Sequence, residues 1–301
     1  MSDMTILSTA RSLPGLNNPG LTAFAPRQYI DVLGIRTAFH RARPSEAARA
    51  TVVLLHGGAP GACAELNWFR NLPALVAAGY DVIAYDQPGF GYSAAPADAG
   101  IDFRYCHLEA LLQALAPEEV HLIGNSIGGL LCCLYALRQP AGPTVRSLTL
   151  AAPYPYFDPP ARAKARLQAH RNRLATVSPT FESIRALCLN TFNQPDCVTD
   201  GIVQLRLDML SGARWDAYAA RSGASREFNR ADIAGRMIDV PTLLIWGVED
   251  CSLPHEIGIE AMRHFRHGQY LFLNQCGHWP QTEQAAVFNR QTIDFLDAQY
   301  A

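Results

Sequence analysis

The 301-residue sequence is short of strong charge: formal net charge is −2 and charged residues make up 17%. It has no basic field, and its cationic residues, almost all arginine, are scattered rather than clustered. Nucleic acid is therefore not expected as a partner. No apolar run is long enough to cross a bilayer, so no membrane is expected either. The first residues lack a basic segment followed by an apolar one, so no secretion signal is read. None of the eight cysteines forms a C-x-x-C pair. Free thiols in a reducing cytoplasm are expected, with no disulfides and no cysteine-held metal. No phosphate loop, no G-x-G-x-x-G fingerprint after a first strand and no metal cluster is present, so no cofactor is expected. Apolar residues make up 49%, enough for a sizeable core.

The chain alternates strand and helix signals, which points to a mostly parallel α/β sheet. Met1 to Arg27, with Pro14, Gly15, Asn17, Asn18, Pro19 and Gly20, reads as an irregular arm. Strands are expected at Gln28–Leu33, Ile35–Arg41, Thr51–Leu55, Tyr80–Tyr85, Glu119–Ile123 and Val145–Leu150, with helices over Asn67–Ala78, Phe103–Leu115 and Leu130–Arg138. From about Tyr154 to Ile238 the pattern is helical, with no convincing strand. The alternation then resumes: a strand at Pro241–Trp246, a helix at Pro254–Phe265, a strand at Tyr270–Asn274 and a last helix at Thr282–Asp297. The expected organisation is a core in two parts, 1–153 and 239–301, carrying a helical lid over 154–238.

Gly124-Asn125-Ser126-Ile127-Gly128 matches G-x-S-x-G after a strand and before a helix. Such a turn lifts a serine Oγ above the sheet, and Gly124, Gly128 and Gly129 allow the strand and helix to approach. An incidental serine in a glycine-rich turn is the plainer alternative. His56-Gly57-Gly58 ends the Thr51–Leu55 strand, and its loop can aim a backbone N–H at a developing oxyanion. Gly58 and Ile127 are the expected donors. His56 reads as a loop brace. A serine nucleophile needs a base and an acid to orient it. His278, after the last strand, and Asp250, after Trp246-Gly247-Val248-Glu249, fill those places, with Glu249 as rival acid. His255, His264 and His267 read as surface or packing residues.

These segments resemble the α/β-hydrolase superfamily over nearly all the chain, and within it the meta-cleavage product hydrolases, which hydrolyse a carbon–carbon bond in 2-hydroxy-6-oxo-hexadienoates. The likeness rests on His56-Gly57-Gly58-Ala59-Pro60-Gly61-Ala62, Asn67-Trp68, Asp86-Gln87-Pro88-Gly89-Phe90-Gly91-Tyr92-Ser93, the Gly124–Gly129 turn, Cys276-Gly277-His278-Trp279-Pro280-Gln281-Thr282-Glu283 and Phe288-Asn289. Val198-Thr199-Asp200 followed by Arg206 resembles the lid segment that supplies the family's substrate-binding arginine. Ala59 and Pro280 depart from the family's usual glycine and alanine.

The resemblance implies an α/β-hydrolase fold: a mostly parallel eight-stranded sheet, helices on both faces and an inserted helical lid. It implies substrate contacts from Asn67, Asn125, Arg206 and Trp279, a small anionic or acyl substrate, and a possible homo-oligomer. Loop bracing by the asparagines, a solvated helix face for Arg206 and core packing for Trp279 are the alternatives. Two other functions use the same scaffold: ester, thioester or lactone hydrolysis, and catalytically silent binding.

Overall fold

The computed structural model describes residues 7–8, 24–97, 99–222 and 228–300. The strands are β1 (Leu7–Ser8), β2 (Arg27–Val32), β3 (Ile35–Ala42), β4 (Thr51–Leu55), β5 (Asp81–Tyr85), β6 (Glu119–Asn125), β7 (Thr144–Ala151), β8 (Thr242–Gly247) and β9 (Gly268–Leu273). They form one sheet in the order β1-β2-β3-β5-β4-β6-β7-β8-β9. The contacts from β1 through β3 to β5 are antiparallel, and all those from β5 to β9 are parallel. The expected eight-stranded, mostly parallel sheet is present, extended at one edge by the two residues of β1. Of the arm expected over Met1–Arg27, Leu7–Ser8 and residues 24–27 fall within the described residues; Leu7–Ser8 pairs with β2, which Arg27 opens. The rest of the arm lies outside the described residues.

Helices α1 (Ala64–Trp68), α2 (Leu72–Ala77), α3 (Ile101–Leu115) and α4 (Ile127–Arg138) connect the first strands. α5 (Ala161–Ala175), α6 (Phe181–Thr191), α7 (Asp200–Asp208) and α8 (Ala213–Ser222) lie between β7 and β8. α9 (Glu256–Ala261), α10 (Pro280–Glu283) and α11 (Ala285–Asp297) complete the chain. Strand β4 is buried throughout, and its side chains alternate between two cores, as expected of a parallel strand covered on both faces. Val53 and Leu55 pack with Leu108 of α3 and Leu131 of α4, whereas Val52 and Leu54 pack with Leu75 of α2 and Phe295 of α11. A third cluster joins the inserted helices to the loops below them: Ile202, Val203 and Leu205 of α7 meet Leu66 of α1 and Trp279.

Two expected helices only begin earlier, Phe103–Leu115 at Ile101 and Leu130–Arg138 at Ile127, and three others break or shorten. Asn67–Ala78 is two helices, because the chain turns at Phe69–Asn71 and restarts with Pro73 in the first turn of α2. The expected Pro254–Phe265 helix reduces to Glu256–Ala261. Thr282–Asp297 starts earlier and breaks at Gln284, whose φ of −124° and ψ of 48° is not helical. Pro280 suits the first position of α10, where no intrahelical N–H bond is lost. No helix among the described residues is long and apolar enough to cross a membrane.

Parallel pairing aligns the strand ends: Leu55 lies beside Gly124, Asn125 beside Ala151 and Gly247 beside Leu273. The loops after β4, β6, β7, β8 and β9 therefore leave the same edge of the sheet. At that edge β4 and α4 are packed so closely that a Cβ on Gly128 would lie 2.2 Å from the Leu55 carbonyl oxygen. The neighbour is backbone and has nowhere to go. Gly128→Ala is expected to lower unfolding free energy by about 3 kcal/mol, read from urea denaturation against the unsubstituted chain.

Candidate active site

Ser126 stands between β6 and α4 with φ 53° and ψ −118°. A left-handed φ on a non-glycine residue is costly, and the fold holds it by hydrogen bonds on both sides. The Ser126 N–H donates to the Ala151 carbonyl at 3.0 Å, while its own carbonyl accepts from Leu130 N–H at 3.1 Å and Tyr154 N–H at 2.9 Å. Gly124 faces the backbone of Gly128 and Gly129, where a Cβ would approach to 2.6 Å. The serine is thus fixed where the sheet ends and the helix begins.

The loop after β4 lies against this turn. A Cβ on Gly57 would stand 3.4 Å from the Ser126 Cβ, and one on Gly58 would stand 3.1 Å from Ile127 Cγ1. The two expected N–H donors, on Gly58 and Ile127, are therefore neighbours beside the serine. His56 braces this loop from behind. It is wholly buried, its Nδ1–H donates to the Gly57 carbonyl at 2.6 Å and its Nε2 accepts the Gln87 N–H at 2.9 Å. Burial pushes its pKa down to about 3, with nearby Arg104 acting in the same direction and the Gly57 bond opposing. The ring is neutral at neutral pH.

His278 lies in the loop between β9 and α10. Its Nδ1–H donates to Asp250 Oδ2 at 2.7 Å, so Nε2 is left as the basic nitrogen. The second Asp250 oxygen accepts the N–H groups of Ser252 at 2.7 Å and Leu253 at 2.8 Å. Asp250 is completely buried. Glu249 turns away and accepts the Cys276 N–H at 3.1 Å. Ser126 and His278 line one chamber of about 20 Å3, with Gly57, Gly58, Asn125, Ile127, Trp279 and, from the inserted helices, His170, Leu174 and Thr191. His255 bonds the Val248 carbonyl and His264 stacks on Phe157, both outside this chamber.

The remaining sequence candidates divide. Asn125 is a brace: its Nδ2 donates to the Ala151 carbonyl at 3.0 Å and the His278 carbonyl at 3.3 Å, leaving Oδ1 toward Gly57. Asn67 and Arg206 do not line the chamber but lie behind its walls. Asn67 Oδ1 accepts the Gly57 N–H at 3.4 Å, and its Nδ2 has no partner among the described residues. Arg206 is fully buried on α7, not on a solvated helix face, 4.9 Å from the Trp279 ring. Its Nη1 lies 3.8 Å from Cys188 Sγ, while Nε and Nη2 have no partner among the described residues. Thr199 sets α7 by capping the Ile202 N–H at 3.3 Å. Gly61, with φ +68°, lets the β4 loop pass directly beneath Arg206. His170, Leu174, Thr191 and Tyr154 were not found from sequence, because the inserted helices carry no spacing that marks a site. Among the described residues no group of three or more His, Cys, Asp or Glu could hold a metal ion.

A family model described as the alpha/beta hydrolase fold matches residues 50–285. The chain belongs to the α/β-hydrolase family. Among its curated relatives is the 2-hydroxy-6-oxononadienedioate/2-hydroxy-6-oxononatrienedioate hydrolase of Cupriavidus pinatubonensis, 34% identical over 261 residues that cover 83% of this chain and 88% of that one. The hydrolase of the same name from Escherichia coli is 31% identical, with coverage of 82% and 86%. The solved structure of a meta-cleavage product hydrolase from Pseudomonas fluorescens IP01 matches with a TM-score of 0.77 and 27% identity, covering 90% of this chain and 97% of that one. Hydrolases of the meta-cleavage product type are thus among the proteins that this α/β-hydrolase resembles.

The buried His56 ring gives a measurable signature. Its folded pKa lies below the ordinary value near 6.5, so the unfolded chain takes up that proton first. The residue's contribution to stability is complete above that value and is lost as pH falls toward about 3. Nitrogen-15 NMR of the imidazoles is expected to show His56 still neutral, as the Nδ1–H tautomer, at pH 5.

Proposed function

We propose that this α/β-hydrolase cleaves a carbon–carbon bond in a 2-hydroxy-6-oxo-hexa-2,4-dienoate-type ring-fission product, using Ser126, His278 and Asp250. The observation that carries the reading is the buried guanidinium of Arg206, whose Nε and Nη2 have no hydrogen-bond partner, and which has no acidic partner, among the described residues. A buried charge without a partner is costly, and such groups normally answer to a ligand. The 1-carboxylate and 2-oxygen of a dienoate supply an anion with the geometry an arginine fork binds. The Trp279 ring, which lines the chamber, lies 4.9 Å from this guanidinium, and Asn67 Nδ2 is likewise without a partner among the described residues. Simple ester hydrolysis has no use for this cation.

The chemistry follows from the placement. Proton transfer through His278 converts the dienol to its keto tautomer, which places a carbonyl at C2 and a proton at C5. Ser126 Oγ then attacks C6 as His278 Nε2 takes its proton. The negative charge on the C6 oxygen is met by the N–H groups of Gly58 and Ile127. Collapse breaks the C5–C6 bond, and C5 leaves as a carbanion delocalised into the C2 ketone and is protonated by His278. Water, deprotonated by the same nitrogen, hydrolyses the acyl-serine to a carboxylic acid. Asp250 stays ionised and holds the ring in its working tautomer. A chamber of about 20 Å3 holds about one water. Substrate entry therefore requires the inserted helices to part from the core, the behaviour of a lid.

The test is loss of the dienolate absorbance of ring-fission products on adding enzyme, beside a nitrophenyl ester control. Decay across several products supports the reading; turnover of the ester alone overturns it. Ser126→Ala is expected to abolish decay, and Asp250→Asn to lower kcat by about 10^4-fold. Arg206→Ala is expected to lower kcat/KM by about 10- to 150-fold, with a smaller effect on the ester, because charge-assisted hydrogen bonds are lost only from the dienoate.

A further inference from the structure

Strands β4 and β5 end side by side, with Leu55 opposite Tyr85. The loop that carries Gly58 therefore leaves the sheet next to the loop that carries Gln87. Gln87 is wholly buried, and every polar atom it has is bonded. Its N–H donates to His56 Nε2 at 2.9 Å, its Nε2 donates to the His56 carbonyl, and its own carbonyl accepts the Phe90 N–H at 2.9 Å. Its Oε1 accepts from Arg104 through both Nε, at 3.0 Å, and Nη2.

Arg104 stands in the first turn of α3 and is only 6% exposed. Its guanidinium lies 5.1 Å from the Phe90 ring, and Phe90 packs edge-on against His56. Its Nη1 reaches toward the β4 loop, 3.9 Å from where a Cβ on Gly58 would be. Burying a cation is expensive, and an apolar residue of this length would pack here at less cost. The acceptor Gln87 is a neutral amide, so this bond holds the guanidinium without cancelling its charge.

The chain of bonds ends on the peptide that matters. His56 Nδ1–H donates to the Gly57 carbonyl at 2.6 Å. That carbonyl belongs to the same peptide as the Gly58 N–H. A trans peptide is planar, with its C=O and N–H pointing opposite ways, so a donor that fixes one fixes the other. Hydrogen bonds in series also polarise one another, and a cation at the far end strengthens the last donor. We propose that Arg104 is a positioning residue of the oxyanion hole: acting through Gln87 and His56, it sets the aim of the Gly58 N–H. This rests on the serine reading of the site and holds for a ketone and an ester alike.

The charge that Gly58 meets appears only as the tetrahedral adduct forms, so a misaimed donor costs the transition state more than the bound substrate. Arg104→Met is expected to lower kcat on nitrophenyl butyrate by about 10- to 100-fold. KM is expected to stay within about 2-fold. Butylboronic acid becomes a tetrahedral anion when Ser126 Oγ adds to boron and His278 takes the hydroxyl proton. Its affinity is expected to fall by about the same factor as kcat. Arg104→Lys keeps the charge but offers Gln87 a point donor in place of the two-pronged grip, and is expected to lie between. A folded Arg104→Met enzyme, judged by its thermal melt, in which either kcat or boronic acid affinity is unchanged overturns the inference. Should that variant not fold, Arg104→Lys decides by the same two measurements: a fall in both supports the inference, and no change in either one overturns it. If the unsubstituted enzyme neither cleaves the ester nor binds the boronic acid, the serine reading itself has failed, and the inference falls with it.

Discussion

A parallel sheet brings the C-terminal ends of its strands to one edge, and the candidate chemistry of this chain depends on that constraint. Ser126 is more than a hundred residues away from Asp250 and His278 in sequence, yet the loops that carry them follow β6, β8 and β9 at the same edge of the sheet. The register does this: Leu55 beside Gly124, Asn125 beside Ala151, Gly247 beside Leu273. A slip in any of these pairs would turn side chains to the opposite face and lift one loop out of the plane of the others. The close contacts at Gly124 and Gly128 guard against such a slip, since the elbow closes only with glycine at both places.

The inserted helices are tied to the same edge by polar contacts to the catalytic loops rather than by packing alone. The Thr191 carbonyl, at the end of α6, accepts the His278 N–H at 2.9 Å. Glu283 receives the N–H groups of Asn193 at 2.7 Å and Gln194 at 3.0 Å with one oxygen, and that of Gly277 at 2.9 Å with the other. From α5, Arg166 reaches the Asp250 carbonyl at 3.2 Å and Arg173 the Cys251 carbonyl at 2.9 Å. Thr191, Arg166 and Arg173 join the inserted segment directly to the loops that carry His278 or Asp250, and Glu283 of α10 bridges Asn193 and Gln194 to Gly277 beside His278. If the inserted helices act as the proposed lid, opening them would strain the His278 and Asp250 loops, and closure would restore their alignment. Binding energy spent on closing the cover would be expressed as alignment of the acid and base.

The sequence made the core legible because its signals are local. A continuous apolar run such as Thr51–Leu55 has one good solution, a strand covered on both faces, and a serine between glycines at a strand end has few. The breaks inside expected helices escaped because tertiary demands set them: α1 stops at Trp68 so that α2 can restart at a proline, and Gln284 unwinds one turn between α10 and α11. Arg206 was nameable only through a resemblance, since one arginine on a helix looks solvated until its neighbours are known. The inserted helices gave least. His170 and Leu174 acquire their places from how α5 lies across the sheet edge, and no spacing along the chain encodes that crossing.

In the proposed roles, the serine, imidazole and carboxylate would act on an ester as readily as on a ketone, so they do not distinguish the two. What distinguishes them must act on the part of the substrate that leaves. An ester releases an alkoxide that water can stabilise, whereas a carbon–carbon cleavage must release a carbanion, which needs an electron sink conjugated to it. A cation and an N–H donor buried beside the site favour substrates whose negative charge lies at that end, and they gain strength because water is excluded there. Arg206 fits this requirement by its burial and because its Nε and Nη2 have no partner among the described residues. A solvated arginine would offer little to an anion already hydrated, and an arginine paired with a carboxylate would offer nothing. The instability carried by this one unpaired charge in the resting fold is, on this view, the source of its preference for a dienoate.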